Sequence, residues 1–110
     1  MAYIYMVKCS DDSLYTGITK DIKARMKEHL MGSAKSKYTR SKKAVQLCAL
    51  WSCENYSDAA RLEYAIKRLA RKDKLLLAEN PQSVNEMFEK LKEITFKAEE
   101  IFDINDAGDT

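Results

Sequence analysis

The sequence predicts an α/β domain whose elements run strand, strand, helix, strand, helix, helix, with one more amphipathic helix toward the C-terminal end. Two observations carry this reading. Residues 2–18 alternate β-branched and aromatic residues around a polar turn, whereas from Thr19 onward apolar residues recur at every third or fourth position. Composition sets the scale. The chain has 110 residues, 45% hydrophobic and 33% charged, with three Gly and one Pro, which gives one modest core and excludes collagen-like, low-complexity and wholly disordered chains.

Within residues 2–9, Tyr3, Tyr5 and Val7 fall on one side of an extended chain and Ile4 and Met6 on the other, so this strand is covered on both faces. Residues 10–13, with Asp11 and Asp12, supply turn chemistry, and residues 14–18 resume the extended apolar pattern, so the two runs form a hairpin. Gly17 in the second strand marks a bulge or a close backbone approach. Next, Ile22, Met26 and Leu30 sit at i, i+4 and i+8 of a helix that Thr19 or Asp21 caps and Gly32 ends. Arg25 and His29 project beside that stripe one turn apart and can reach a common spot. Residues 45–52 read as a third, largely buried strand. Ser57 caps the following helix, whose stripe is Leu62, Ile66 and Leu69 with Glu63 at its edge, and residues 72–78 form a short helix ending before Asn80 and Pro81. Ser83 and Glu86 make a capping box for a last helix in which Val84, Met87, Phe88, Leu91, Ile94, Ala98 and Ile101 repeat at helical spacing. From Asp103 on, the chain is acidic and frayed.

No stretch approaches the roughly 20 apolar residues of a membrane span, and the first residues lack the basic-then-apolar layout of a secretory signal, so the expected location is the cytoplasm. Cys9, Cys48 and Cys53 include no CxxC pair and His29 is the one histidine, so the cysteines read as buried or neutral thiols rather than disulfides or zinc ligands. Charge is distributed unevenly. Residues 1–83 hold 16 Lys/Arg against 9 Asp/Glu, hence +7, and residues 84–110 hold 3 against 8, hence −5. Lys35, Lys37, Arg40, Lys42 and Lys43 lie in one stretch without an acid, with Tyr38 among them. That is a candidate phosphate-binding loop, its bland alternative being a solvated surface.

Tyr3-Ile4-Tyr5, Tyr15-Thr16-Gly17-Ile18-Thr19, the Arg25 and His29 pair, Lys37-Tyr38-Thr39-Arg40, and the series Glu63, Ile66, Lys67, Leu69 follow one another in a set order. This ordered set resembles the GIY-YIG nuclease superfamily, and within it the small stand-alone bacterial subgroup. The likeness spans about residues 2–78. It implies a small three-stranded antiparallel sheet flanked by helices, acting on the phosphodiester backbone of DNA with one divalent metal ion, and it carries the site onto Tyr5, Tyr15, Arg25 and Glu63. His29 matches a histidine found in some branches. Tyr3 stands where the family name has its first glycine, Thr16 replaces the middle isoleucine, and Ile18 occupies a position where some repair nucleases place an assisting lysine. Some members use a late asparagine, for which Asn80 is the candidate. The helix expected from Ser83 onward has no counterpart in the likeness.

These residue types suit the chemistry. Phosphodiester hydrolysis needs an activated water, neutralisation of growing negative charge and stabilisation of the leaving oxygen. Glu63 can give one carboxylate to Mg²⁺ (or Mn²⁺), a hard ion that keeps most of its waters. Arg25 offers a planar, permanently charged fork to phosphate oxygens. Tyr15 can take a proton from water if nearby positive charge lowers the ordinary phenol pKa of about 10, or as part of a relay to which His29 belongs. Lys67, with the basic loop, is a candidate nucleic-acid contact.

The expected organisation is a nuclease-like domain over residues 1–82, a helix over 83–102 packed on it or on a partner, and a disordered acidic tail over 103–110. The expected activity is that of a metal-dependent DNA endonuclease, structure-selective in repair or recombination. The rival readings are a nucleic-acid-binding or partner-recruiting module with little turnover, and an interaction protein that uses the C-terminal helix, including pairing of that helix with a second copy.

Overall fold

Alternation in the first strand determines the layering. β1 (Ala2–Cys9) and β2 (Leu14–Thr19) pair antiparallel, with Tyr5 opposite Gly17 and Val7 opposite Tyr15. The turn between them closes through Cys9 N–H to the Ser13 carbonyl at 2.9 Å, and Asp12 adopts φ 67°, a left-handed conformation that a short polar side chain tolerates. β3 (Ala44–Cys53) pairs antiparallel with the other side of β1, with register shifts after Met6 and after Lys8. The computed structural model describes residues 1–30 and 44–109, so the basic stretch Lys35 to Lys43 and the helix-ending Gly32 lie outside the described residues.

Successive β1 side chains enter two separate cores. Ile4 and Met6 face a core completed by Ala49, Trp51, Leu62, Ile66 and Leu77, beneath α2 (Tyr56–Lys67) and α3 (Arg71–Glu79). Tyr5 and Val7 face the other, with Met26 of α1 (Ile22–Leu30), Leu47 and Leu50. Local chemistry fixes the helix starts. Asp21 Oδ1 accepts from Ala24 N–H at 3.1 Å, while Thr19 Oγ1 braces the Asp21 backbone. α2 is capped by Asn55 rather than Ser57, because Asn55 Oδ1 accepts from Asp58 N–H at 2.8 Å and the helix begins two residues earlier.

The expected long last helix does not form. α4 (Val84–Met87) is a single turn, Phe88 leaves the helical region at φ −113° and ψ 84°, and Ser83 Oγ donates to the Asn80 carbonyl instead of capping. The cause is nonlocal. A three-stranded sheet would leave β3 as an unpaired edge, and the chain covers it with β4 (Lys97–Ala98), giving four strands in the order β2-β1-β3-β4. Glu99 N–H continues the ladder to the Leu50 carbonyl at 2.8 Å, and Ser52 Oγ donates to the Glu99 carboxylate at 2.6 Å. The apolar residues that mimicked a helical stripe instead wrap the edge. Val84, Leu91 and Phe96 fill the α2 and α3 core, and Trp51 Nε1 donates to the Pro81 carbonyl at 2.8 Å. Ile104 crosses to the other core, where it is 1% exposed beside Met26. Residues 104–109 form a 3-10 helix, and Ile104 at its start is docked rather than frayed. Cys9 and Cys53 are buried and Cys48 is half-buried. No helix among the described residues is long and apolar enough to cross a membrane.

Candidate active site

Edge strand β2 is the seam where the two layers meet. Tyr5 of β1 and Tyr15 of β2 project from the α1 face, with ring centroids 6.3 Å apart. Tyr5 can lie flat over the hairpin because its partner across the ladder is Gly17. A Cβ built at Gly17 would sit 2.6 Å from Tyr5 Cζ, which accounts for the glycine as a close approach rather than a bulge. α1 brings Arg25 and His29 to the same place. The imidazole stands edge-on to both rings, 5.5 Å from Tyr5 and 5.7 Å from Tyr15, and Tyr5 Oη lies 2.9 Å from His29 Nε2.

The hydrogen-bond roles follow from what each group can do. Tyr5 Oη and His29 Nε2 can each donate or accept, and the imidazole tautomer sets which does. Arg25, which can only donate, acts on Tyr5 through its charge. Burial first, and then the Arg25 charge, push His29 down to about 4, so the ring is neutral at neutral pH. Burial likewise raises Tyr5 far above the phenol range; the neighbouring Tyr15 adds to this and Arg25 opposes it. Tyr5 is therefore a protonated, fixed hydroxyl. Arg25 is raised as well: burial disfavours its charge, but Tyr5 and the Glu28 carboxylate, 3.5 Å from Nε, outweigh that.

From the opposite layer, α2 supplies Glu63 and Lys67, one turn apart. Lys67 Nζ is 3.4 Å from Glu63 Oε2 and 5.9 Å from the centroid of the Tyr15 ring. The negative charge of Glu63 also reaches Tyr5. The site is thus a cluster of two phenols, one neutral imidazole, two cations and the carboxylate of Glu63, with Glu28 paired to Arg25 at its margin. Tyr5, Tyr15, Arg25, His29, Glu63 and Lys67, all singled out in the sequence, come together. Lys35, Lys37, Tyr38, Arg40, Lys42 and Lys43 lie outside the described residues. Asn80 is the C-cap of α3, its N–H bonded to the Leu76 and Leu77 carbonyls.

Sequence reasoning did not find Lys20 and Tyr56. With Thr19, Ala24, Arg25 and Glu28 they line a cleft of about 510 Å³ beside the cluster, and Lys20 Nζ lies 5.7 Å from the Tyr56 ring centroid. Nothing local in the sequence marks a strand end and a helix start as neighbours.

The family description "GIY-YIG catalytic domain" matches residues 1–76, a span that contains every member of the cluster. The chain belongs to the GIY-YIG family. It is 40% identical over 95 residues to a UPF0213 protein of Fusobacterium nucleatum, covering 86% of this chain and 94% of that one. A UPF0213 protein of Staphylococcus aureus is 44% identical over 75 residues, 68% of this chain and 90% of the relative. The solution NMR structure of a UPF0213 protein from Bacillus halodurans is 36% identical, covers 77% of this chain and 94% of that one, and gives a TM-score of 0.47. GIY-YIG membership puts the chain in a superfamily of endonucleases, whose substrate is DNA.

Proposed function

We propose that the protein is a metal-dependent DNA endonuclease that hydrolyses phosphodiester bonds at the β2 edge. The observation that carries this reading is the convergence on one seam of the Arg25 guanidinium, the Glu63 carboxylate and two phenols, drawn from both layers of the sheet. The donor set fits a hard divalent ion. Among the described residues no three His, Cys, Asp or Glu side chains group as metal ligands, so Glu63 offers a single carboxylate, as suits Mg²⁺ or Mn²⁺ with most of its waters retained. When bound, such an ion neutralises the developing phosphate charge and polarises the oxygens.

Arg25, paired with Glu28, presents its guanidinium to nonbridging phosphate oxygens. Tyr15 is the phenol with partial exposure; acting as the phenolate, it takes the proton from the attacking water and becomes the neutral phenol. The Lys67 ammonium, 5.9 Å from its ring centroid, balances the phenolate charge before that transfer, the part that a lysine at position 18 would otherwise play. His29, buried and neutral, acts through Tyr5 as a positioning residue.

The test is cleavage of nicked, flapped, branched and single-stranded DNA with Mg²⁺ or Mn²⁺, comparing the parent with Glu63→Gln, which keeps shape and removes charge. We expect metal-dependent cleavage by the parent and its loss in the variant with thermal stability unchanged. Equal cleavage rates in the two proteins would refute the assignment of Glu63.

A further inference from the structure

α2 carries a second surface, unused by the chemistry above. Glu63 and Lys67 lie on the flank that meets Tyr15, whereas Arg61, Tyr64 and Arg68 lie on another flank and face the turn at residues 87–91. Between them runs an open groove of about 920 Å³, floored by Ala60, Ala65, Phe88 and Leu91. Tyr64 is 63% exposed, a large aromatic left in water. Its hydroxyl accepts from Arg68 Nη1 at 2.8 Å, and the Arg68 guanidinium lies 5.3 Å from the ring centroid. Arg61, Arg68 and Lys90 give the groove three cations, while its one acid, Glu89, pairs with Lys92 outside it at 3.1 Å.

An exposed aromatic face flanked by cations is the pairing that binds single-stranded nucleic acid, where bases stack and phosphates meet charge. We propose that this groove holds a single-stranded arm of the DNA cut at the β2 edge, with a base stacked on Tyr64 and backbone phosphates on Arg61, Arg68 and Lys90. The choice of DNA rests on the nuclease reading. The two surfaces stand on one helix, about 10–12 Å across with its side chains, so a strand passing the β2 edge meets the groove on the next flank of that helix. The protein therefore reads the junction between duplex and single strand, not base sequence.

The test uses the full chain without metal, so that it reads binding and not turnover. Fluorescence anisotropy compares a blunt duplex, the same duplex with an arm of about eight thymidines, and oligothymidine alone. Tyr64→Ala should weaken binding of the arm-bearing duplex and of oligothymidine at least about fivefold, the lower end for loss of one stacked base, and leave the blunt duplex unchanged. Tyr64→Phe should bind like the parent. Arg61→Ala and Lys90→Ala should each flatten the salt slope for oligothymidine by about 0.7. Both Tyr64 variants are surface changes, and matching thermal melts will show that the fold is kept. Binding of each of the three probes by Tyr64→Ala as tight as that of the parent overturns the proposal. So does a glutamate-rich peptide that binds as tightly as oligothymidine with the same dependence on Tyr64, which would make the groove a peptide site. Cleavage that depends on Glu63 with binding indifferent to Tyr64 sinks the groove alone. Tyr64-dependent arm binding by a protein that cleaves nothing sinks the nuclease reading alone.

Discussion

Replacing Gly17 with Ala tests how tightly the site is built. The added methyl would lie 2.6 Å from Tyr5 Cζ and 3.1 Å from Cε1, well inside van der Waals contact. The ring cannot simply move aside, because Tyr5 is 0% exposed and its hydroxyl is bonded to His29. Overpacking of this kind costs about 1–3 kcal/mol. Displacing the hydroxyl also loses a buried hydrogen bond, worth about 0.5–1.5 kcal/mol net. Against this, Ala in a strand is about 0.5–1 kcal/mol better than Gly for backbone entropy. The balance is a loss of about 2 kcal/mol, or about 10 °C in Tm for a domain of this size. Urea titration of the single variant, of Tyr5→Leu and of the double variant measures it. In the Tyr5→Leu background most of the Gly17→Ala cost should vanish, since the clashing atoms are gone. A Gly17→Ala protein as stable as the parent, or an undiminished cost in the double variant, would refute the close approach as the reason for glycine.

Two further outcomes follow from burial. His29 sits near 4 in the folded chain against about 6.5 unfolded, so between those values the unfolded state binds the extra proton. Stability should therefore fall as pH drops from 7 to 4, by about 3 kcal/mol from this group. His29→Gln should remove that share of the pH dependence in urea titrations, and an unchanged pH profile in the variant would show that the ring is not held neutral. Ile104→Ala should cost about 2–5 kcal/mol as a core truncation, although the position lies in an acidic, polar run. A change below about 0.5 kcal/mol, the scale of a surface substitution, would return the segment to a frayed tail.

What the sequence revealed, it revealed through local order. β1, β2, α1, β3, α2 and α3 follow their periodicities because each is defined by neighbours within one or two turns. The cap of α2 was misplaced because Asn55 and Ser57 are both cap formers, and only the reach of Asn55 Oδ1 to Asp58 N–H separates them. The last helix failed for a different reason. Val84, Leu91, Ile94 and Ile101 do fall at helical spacing, but the free edge of β3 offered backbone partners that no window of sequence contains. In the site, Tyr5, Tyr15, Arg25 and His29 lie within one hairpin and the helix after it, so their grouping was legible. The distant Glu63 entered through the ordered likeness to the family. Depth was not legible. Helical spacing put His29 beside Arg25, yet its full burial depends on packing against a face that the C-terminal segment also covers.

That covering links the part of the chain beyond the family match to the site within it. The place of α1, described over Ile22–Leu30, is set by packing more than by helix propensity. What keeps it in place is its apolar side, Ile22 and Met26, against Val7, Leu47 and Leu50 of the sheet and against Phe102 and Ile104. Arg25 and His29 stand on that same helix, so their aim at Tyr5 is only as firm as this packing. The family match ends at residue 76, whereas Ile104 closes the core under α1 from 28 residues beyond it. The segment gets there by pairing with β3 at Lys97–Ala98 and bending around the sheet edge, which ties both cores into one cooperative unit. Glu63 and Lys67 answer to the α2 core and Arg25 and His29 to the α1 core, with only β2 and its glycine between them. A site assembled from two layers across a bare edge holds its geometry only when both cores are closed, and the C-terminal wrap closes both.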